Sequence, residues 1–219
     1  MQNIPRIYID EPIESGKTMA IDKNIVHYLR HVMRRNDCLV FNAGDEYMAT
    51  LSEDNKNIII GSKTDHVDPS NDIEFYFAPV KKTDEMLNMV TQMGVAVLQP
   101  VITERTVAHH INWERMKKII IEAAEQSGRN SIPQLLNPIK FSELDLNGLI
   151  VADERFAHGK EDTKNKISGN KIFVGPEGGF SNAEFEKMDN TNVIGLSLGK
   201  TILRAEVAAV VSIAKVLNK

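Results

Sequence analysis

Val174-Gly-Pro-Glu-Gly-Gly-Phe180, running directly into Ser181-Asn-Ala-Glu184, is the stretch on which the reading of the fold turns. The apolar residues Ile172 to Val174 before it predict a buried strand, and Ser-x-x-Glu after it has the form of a helix capping box. A glycine loop therefore joins a strand to a helix, the punctuation of an α/β protein. Glycines at 175, 178 and 179 allow positive φ and close backbone approach, and the helix start offers unpaired N–H groups. These features suit a loop that wraps a ligand, and equally a tight turn with none. The Gly-Lys-Ser/Thr ending of a phosphate-binding loop is absent, and Gly175-x-x-Gly178 does not match the dinucleotide fingerprint.

Further along, Leu196-Ser-Leu-Gly-Lys-Thr-Ile-Leu-Arg-Ala-Glu206 repeats the pattern of strand, loop and helix start. Gly199 breaks the strand, and Arg204 and Glu206 are expected in the first turn of the helix. A glutamate there is favourable with the helix dipole and an arginine is not, so Arg204 suggests a bound anion or polarised carbonyl, or a salt bridge to a nearby carboxylate. Leu203, Val207, Val210, Val211, Ala214 and Leu217 form one stripe of the last helix, beside the small residues Ala205, Ala208 and Ala209. That stripe is expected to be buried, against a second subunit in one reading.

Working towards the N-terminus, apolar runs at Leu149 to Ala152, Val95 to Val101 and Ile73 to Val80 alternate with helical patterns at Asn112 to Ser127 and Thr83 to Met93. This alternation predicts a mostly parallel α/β sheet. In the helix from Asn112, Met116, Ile119, Ile120, Ala123 and Ala124 line one face, leaving Lys117, Lys118 and Glu125 for solvent. Lys160 to Lys171 has few apolar residues and reads as a mobile surface loop. Asp65 to Asp72 is polar, contains Pro69, and reads as a linker. Before it, Arg6 to Ile9, Leu39 to Phe41, Tyr47 to Leu51 and Asn57 to Gly61 predict short strands, with turns at Asn42 to Asp45 and Glu53 to Asn55, as in a small barrel or sandwich.

The 219 residues allow one large domain or two small ones, and 42% hydrophobic with 26% charged residues is ordinary globular composition. No run is long enough to cross a bilayer, and Met1-Gln-Asn-Ile-Pro lacks the start of a secretory signal, so a cytoplasmic protein is expected. Cys38, the one cysteine, agrees with a reducing compartment and excludes an internal disulfide. The net charge of −4, with 8 basic and 11 acidic residues in positions 1 to 70, argues against a non-specific polyanion binder but leaves room for a local basic patch. The helix from Ile25 to Arg35 supplies one: Ile25, Leu29, Val32 and Met33 make an apolar face, and His27, Arg30, His31 and Arg34 a basic stripe. His27-x-x-x-His31 has the spacing of a helical metal pair, but no third ligand is evident and no metal is expected.

Taken together, the two C-terminal loops resemble the RsmE family of small-subunit ribosomal RNA uridine-N3 methyltransferases, in the SPOUT superfamily. The family's Gly-Pro-Glu-Gly-Gly-Phe-Ser loop is matched from Gly175 to Ser181. Its Leu-Gly-x-x-Ile-Leu-Arg-x-Glu-Thr-Ala segment is matched from Leu198 to Ala208, with Val207 in place of Thr. Glu122 to Arg129 resembles its Glu-Ala-Ala-Glu-Gln-Ser-Gly-Arg, and Pro100 to Arg105 its Pro-x-x-x-x-Arg-Ser, with Thr106 for Ser. His27 or Tyr28 through Val32-Met-Arg34 echoes its first-domain His-x-x-x-Val-Leu-Arg helix. Departures are Asn36-Asp37 for the usual Gly-Asp, and Met89 and Gln92 where the family has Lys and Glu, a complementary pair lost together.

The resemblance implies a PUA-like RNA-binding β-barrel over residues 1–68 and, over 72–219, a SPOUT α/β domain with a deep C-terminal trefoil knot. It implies S-adenosylmethionine as cofactor, held by Gly175, Pro176, Glu177, Gly178, Gly179, Leu196, Leu198, Gly199, Ile202 and Leu203. It also implies a homodimer acting on 16S ribosomal RNA within the small ribosomal subunit. Uridine N3 is a poor nucleophile while protonated, so the enzyme must take its proton and stabilise charge on O2 and O4. Arg204 is the candidate stabiliser, with Glu206 or Glu177 as proton acceptor; capping or ion pairing is the alternative role for both glutamates. Arg30, Arg34, Arg105 and Arg129 are the candidate RNA contacts. Methylation of another RNA or base position, and a non-catalytic RNA-binding relative, stay open as alternative readings.

Overall fold

The short apolar runs near the N-terminus pair with one another in the computed structural model, which describes residues 4–69, 71–107, 112–160 and 167–218. The chain divides into two compact units, Met1–Ser70 with Ile121–Ile132, and Asn71–Ile120 with Pro133–Lys219. In the first unit, β1 (Arg6–Tyr8), β2 (Thr18–Ala20), β3 (Asp37–Asn42), β4 (Asp45–Leu51) and β5 (Asn57–Lys63) form a sheet in the order β1-β3-β4-β5-β2. Only β1 and β3 run parallel. Strand β2 escapes the sequence reading because Met19 is its single buried residue, too little for an alternation. Between β3 and β4, Ala43 and Gly44 both have positive φ (51° and 90°), as a two-residue hairpin that follows the strand twist requires. Ile7, Leu29, Cys38, Val40, Ile58 and Ile60 are the heart of this unit's core.

Helix α1 (Lys23–His27) starts on Asp22, whose carboxylate accepts the Asn24 N–H at 2.6 Å. It continues as a π-helical turn, Tyr28–Met33, and ends at Arg34 with φ 55°. The expected single helix from Ile25 to Arg35 is thus corrected, and so is its apolar face. Leu29 is fully buried but Val32 is 60% exposed, because the wider π winding rotates position 32 off the line of position 29. His27, Arg30, His31 and Arg34 are all exposed, and the rings of His27 and His31 lie 4.9 Å apart.

The stretch read as a linker is anchored at Asp68, whose carboxylate accepts from the Asn130 and Ser131 N–H groups at 2.7 and 3.0 Å and from the Ser131 hydroxyl at 2.6 Å. Arg6, paired with Glu46, donates to the Arg129 carbonyl at 2.8 Å and the Asn130 side chain at 2.7 Å. These bonds draw residues 121–132 into the first unit, a return that local periodicity cannot report. Glu125, expected in solvent, instead accepts the Tyr8 N–H at 3.0 Å, and burial raises its carboxyl above the usual range.

In the second unit, β6 (Glu74–Phe77), β7 (Val97–Ile102), β8 (Gln134–Leu135), β10 (Ile150–Ala152), β11 (Lys171–Val174) and β12 (Ile194–Leu196) are ordered β12-β10-β11-β6-β7-β8, and β9 (Ile139–Lys140) also pairs with β7. All of these pairings are parallel. Helices α2 (Thr83–Gln92), α4 (Asn182–Asp189) and α5 (Ala205–Leu217) complete the α/β unit, while α3 (Trp113–Ser127), ended by Gly128 at φ 77°, belongs to it up to Ile120 and to the first unit from Ile121. Phe75, Phe77, Phe173 and Leu98 are fully buried in the sheet, as is Leu149 just before β10.

Helix α5 reverses one expectation. Its buried residues are Ala205, Ala208, Ala209, Ser212, Ile213 and Val216, with Glu206, whereas Val207 and Leu217 of the predicted stripe are exposed. The helix is apolar nearly all round, so periodicity could not tell which face meets α2 and the sheet; the small residues do, because they admit close approach. Of the expected loop at 160–171, residues 161–166 lie outside the described residues, while the Lys160 ammonium sits 2.8 Å from Asp153. Among the described residues no helix is long and apolar enough to cross a membrane.

Candidate active site

Because β6, β7, β10, β11 and β12 are parallel, their carboxyl ends share one edge, the place where α/β sheets accept ligands. The segments leaving that edge line a cavity of about 780 Å³, within the range of small-molecule sites. Gly175 to Phe180, Leu198, Gly199, Ile202 to Glu206, Arg105, Lys81, Lys82 and Asp153 to Arg155 are on its wall.

The glycine loop is held by its own end. Phe180 is 2% exposed, set edge-on to Phe173 and Phe185 at 5.2 and 5.6 Å between ring centres. It folds back on Gly175 so closely that a Cβ there would lie 2.7 Å from its ring. Gly175 is therefore required by contact, not by φ, and of the three glycines expected to need positive φ only Gly179 has it (67°). The capping box forms as predicted: the Ser181 hydroxyl accepts the Glu184 N–H at 3.3 Å, and the Glu184 carboxylate accepts the Ser181 N–H at 2.9 Å. Two side chains grip the loop between: Arg105 donates to the Gly178 carbonyl at 3.0 Å, and Glu154 accepts the Phe180 N–H at 3.1 Å.

On the opposite wall, Gly199 has φ 122° and faces open space, while Leu198, Ile202 and Leu203 offer apolar surface. Leu196 is buried at the end of β12 and paired with Ala152, so it belongs to the sheet and not to the cavity wall. Arg204 is the N-cap of α5, one residue before the helical turn in which it was expected, and its exposed side chain lines the cavity. Its φ and ψ (−65° and 154°) are those of a cap. Glu206 is 7% exposed in the first turn, with the Lys82 ammonium 3.9 Å from its carboxylate, whereas Glu177 is exposed on the wall.

Asp153 to Arg155, Ala157 and His158, together with Lys81 and Lys82, are wall residues that sequence reasoning missed. The signal was present: Asp-Glu-Arg follows directly on the apolar strand 150–152, at the same edge as both glycine loops. Asp153 is buried, and burial works to raise its carboxyl, but hydrogen bonds from Arg155 and Lys160 outweigh that and hold it below the ordinary aspartate range. Arg155 donates to Asp153 at 2.9 and 2.8 Å and to Asp189 at 2.7 and 2.8 Å, with its guanidinium 4.0 Å over the Phe185 ring.

Of the four arginines proposed for RNA, Arg30, Arg34 and Arg129 belong to the first unit and Arg105 to the second. Arg30 and Arg34 are exposed in the first unit, Arg30 bonded to Asn36 at 2.7 Å. Arg105 is exposed beside the cavity. Arg129 is half-buried, with the Asp68 carboxylate partly offsetting the burial that lowers its pKa, the surroundings of a structural side chain. At the departures from the family pattern, Gln92 donates to Asn88 at 2.6 Å, a neutral replacement on the exposed side of α2, and Met89 is half-buried.

Residues 68–217 match the model of the RNA methyltransferase domain family. The Ribosomal RNA small subunit methyltransferase E of Rickettsia conorii is 34% identical over 96% of this chain and 94% of its own length. The chain belongs to this methyltransferase family. Among solved structures, the family member from Neisseria gonorrhoeae bound to S-adenosylmethionine is 28% identical, covers 99% of this chain and 98% of its own, and superposes with a TM-score of 0.82. A Legionella pneumophila methyltransferase in complex with the same cofactor is 25% identical, with a TM-score of 0.79 over 99% of this chain and 98% of its own.

Proposed function

We propose that this protein transfers the methyl group of S-adenosylmethionine to N3 of a specific uridine in 16S ribosomal RNA, in the cytoplasm and on the small ribosomal subunit. The observation that carries this is the convergence of Gly175 to Gly179 and Leu198 to Leu203 on one cavity at the carboxyl edge of the parallel sheet. The first unit is the RNA-binding, PUA-like barrel, and the second is the SPOUT domain whose C-terminal loops make the trefoil knot. The exposed apolar residues Val207 and Leu217 support a homodimer formed on the uncovered face of α5.

The residues present fit the cofactor. Gly199, whose position meets open space, and exposed Gly178 let backbone approach a ligand. Leu198, Ile202 and Leu203 suit the adenosine rings, and the exposed carboxylate of Glu177 suits a cationic group. When bound, S-adenosylmethionine supplies a methyl group on an electron-poor sulfonium. The chain's own residues then have to orient the uridine and manage its imide proton. Arg204, exposed and fixed by its place at the α5 N-cap, donates to O2 or O4 and stabilises the negative charge that develops there. Glu177, on the wall and open to solvent, takes the proton from N3. Glu206 faces Lys82 and serves to hold the start of α5.

Mapping 16S ribosomal RNA modifications by mass spectrometry with and without the gene tests the assignment. Loss of one methyluridine, restored by the purified protein with S-adenosylmethionine, is expected; an unchanged modification map sinks it.

A further inference from the structure

Strand β10 lies between β11 and β12 in the sheet, so the turn that follows it stands between the two loops those neighbours deliver. That turn, Glu154–His158, is a 3-10 helix capped by Asp153, and its side chains reach both sides. Phe156 packs against the backbone of Gly195 in β12, where a Cβ would lie 3.1 Å from its ring. Arg155, locked to buried Asp153 and to Asp189 at the end of α4, fixes the turn to the helix that follows the glycine loop. Glu154, between them, accepts the Phe180 N–H at 3.1 Å and occupies the space that a Cβ on Gly179 would need.

We infer that Glu154 is a positioning residue that holds the Gly175 to Phe180 loop in its ligand-receiving shape, with Arg155 as its anchor. The loop spends a left-handed residue at Gly179, and the N–H that follows is the one Glu154 accepts. Without that acceptor the loop keeps, among the described residues, Arg105 on the Gly178 carbonyl and its own Gly179 N–H bond to the Pro176 carbonyl at 2.9 Å. A carboxylate is not needed for this task; an acceptor oxygen at the same reach is. The role thus separates from direct recognition of a cationic ligand, which does need the charge.

The test compares Glu154→Ala with Glu154→Gln by hydrogen exchange at the Phe180 amide and by calorimetric titration with S-adenosylmethionine. Glu154→Ala is expected to speed exchange at Phe180 and to weaken cofactor affinity about tenfold, the scale of one lost hydrogen bond to a carboxylate. Glu154→Gln is expected to restore both. Unchanged exchange in Glu154→Ala overturns the inference, as does a Glu154→Gln variant as defective as Glu154→Ala. The affinity arm rests on the cofactor reading above. Failure of the unaltered protein to bind S-adenosylmethionine would refute that reading, while exchange at Phe180 would still decide the role of Glu154.

Discussion

Gly175→Ala puts the smallest possible side chain where the structure has no room for one. The added Cβ would lie 2.7 and 2.8 Å from two ring carbons of Phe180. That ring cannot retreat, because Phe173, Phe185 and Phe141 surround it at 5.2, 5.6 and 6.3 Å between centres. Overpacking of a filled core costs about 1–3 kcal/mol, and for a chain of this length each kcal/mol lowers the thermal midpoint by roughly 2–4 °C. A fall of about 2–12 °C is therefore expected from calorimetry. Cofactor affinity should fall with it, since the loop that moves is part of the cavity wall. Adding Phe180→Leu should recover part of the loss, so the pair is less destabilised than the sum of the single changes. A Gly175→Ala protein with the native midpoint and native affinity would refute the account of why glycine stands there.

Arg204→Ala should lower turnover by about 100-fold, the scale of one lost oxyanion donor, with cofactor affinity unchanged in calorimetry; near-normal turnover removes Arg204 from the mechanism. Asp153→Asn should destabilise the protein by about 1–3 kcal/mol at neutral pH, measured by urea titration. Because the native Asp153 carboxyl lies below its ordinary value, its stabilisation is complete above the unfolded value near pH 4 and is lost as the pH falls through the native one. The gap between the two proteins should therefore close in acid, and a gap that stays constant down to pH 2 contradicts the assigned ion pairs. Arg30→Ala and Arg34→Ala should each reduce the salt slope of RNA binding by about 1, as for one lost phosphate contact, and an unchanged slope removes that residue from the interface.

The sequence by itself determined the elements on which the site rests. Glycine loops after apolar strands, a Ser181 to Glu184 capping box and the alternation of strand and helix are local signals, written in neighbouring residues, and each appears in the structure. Tertiary structure alone decided which partner each element meets. Helix α5 is apolar on almost every side, so its own residues could not say that Ala208, Ala209 and Ile213 face inward while Val207 and Leu217 stay exposed. Arg129 and Asn130 follow the helix that carries Ala123 and Ala124, yet Arg6 and Asp68, far away in sequence, bind that stretch and make it structural. Glu154 shows the same division. Its place after an apolar strand was legible, but a parallel sheet sets strand order through distant pairings, and only that order brings it against the Phe180 N–H.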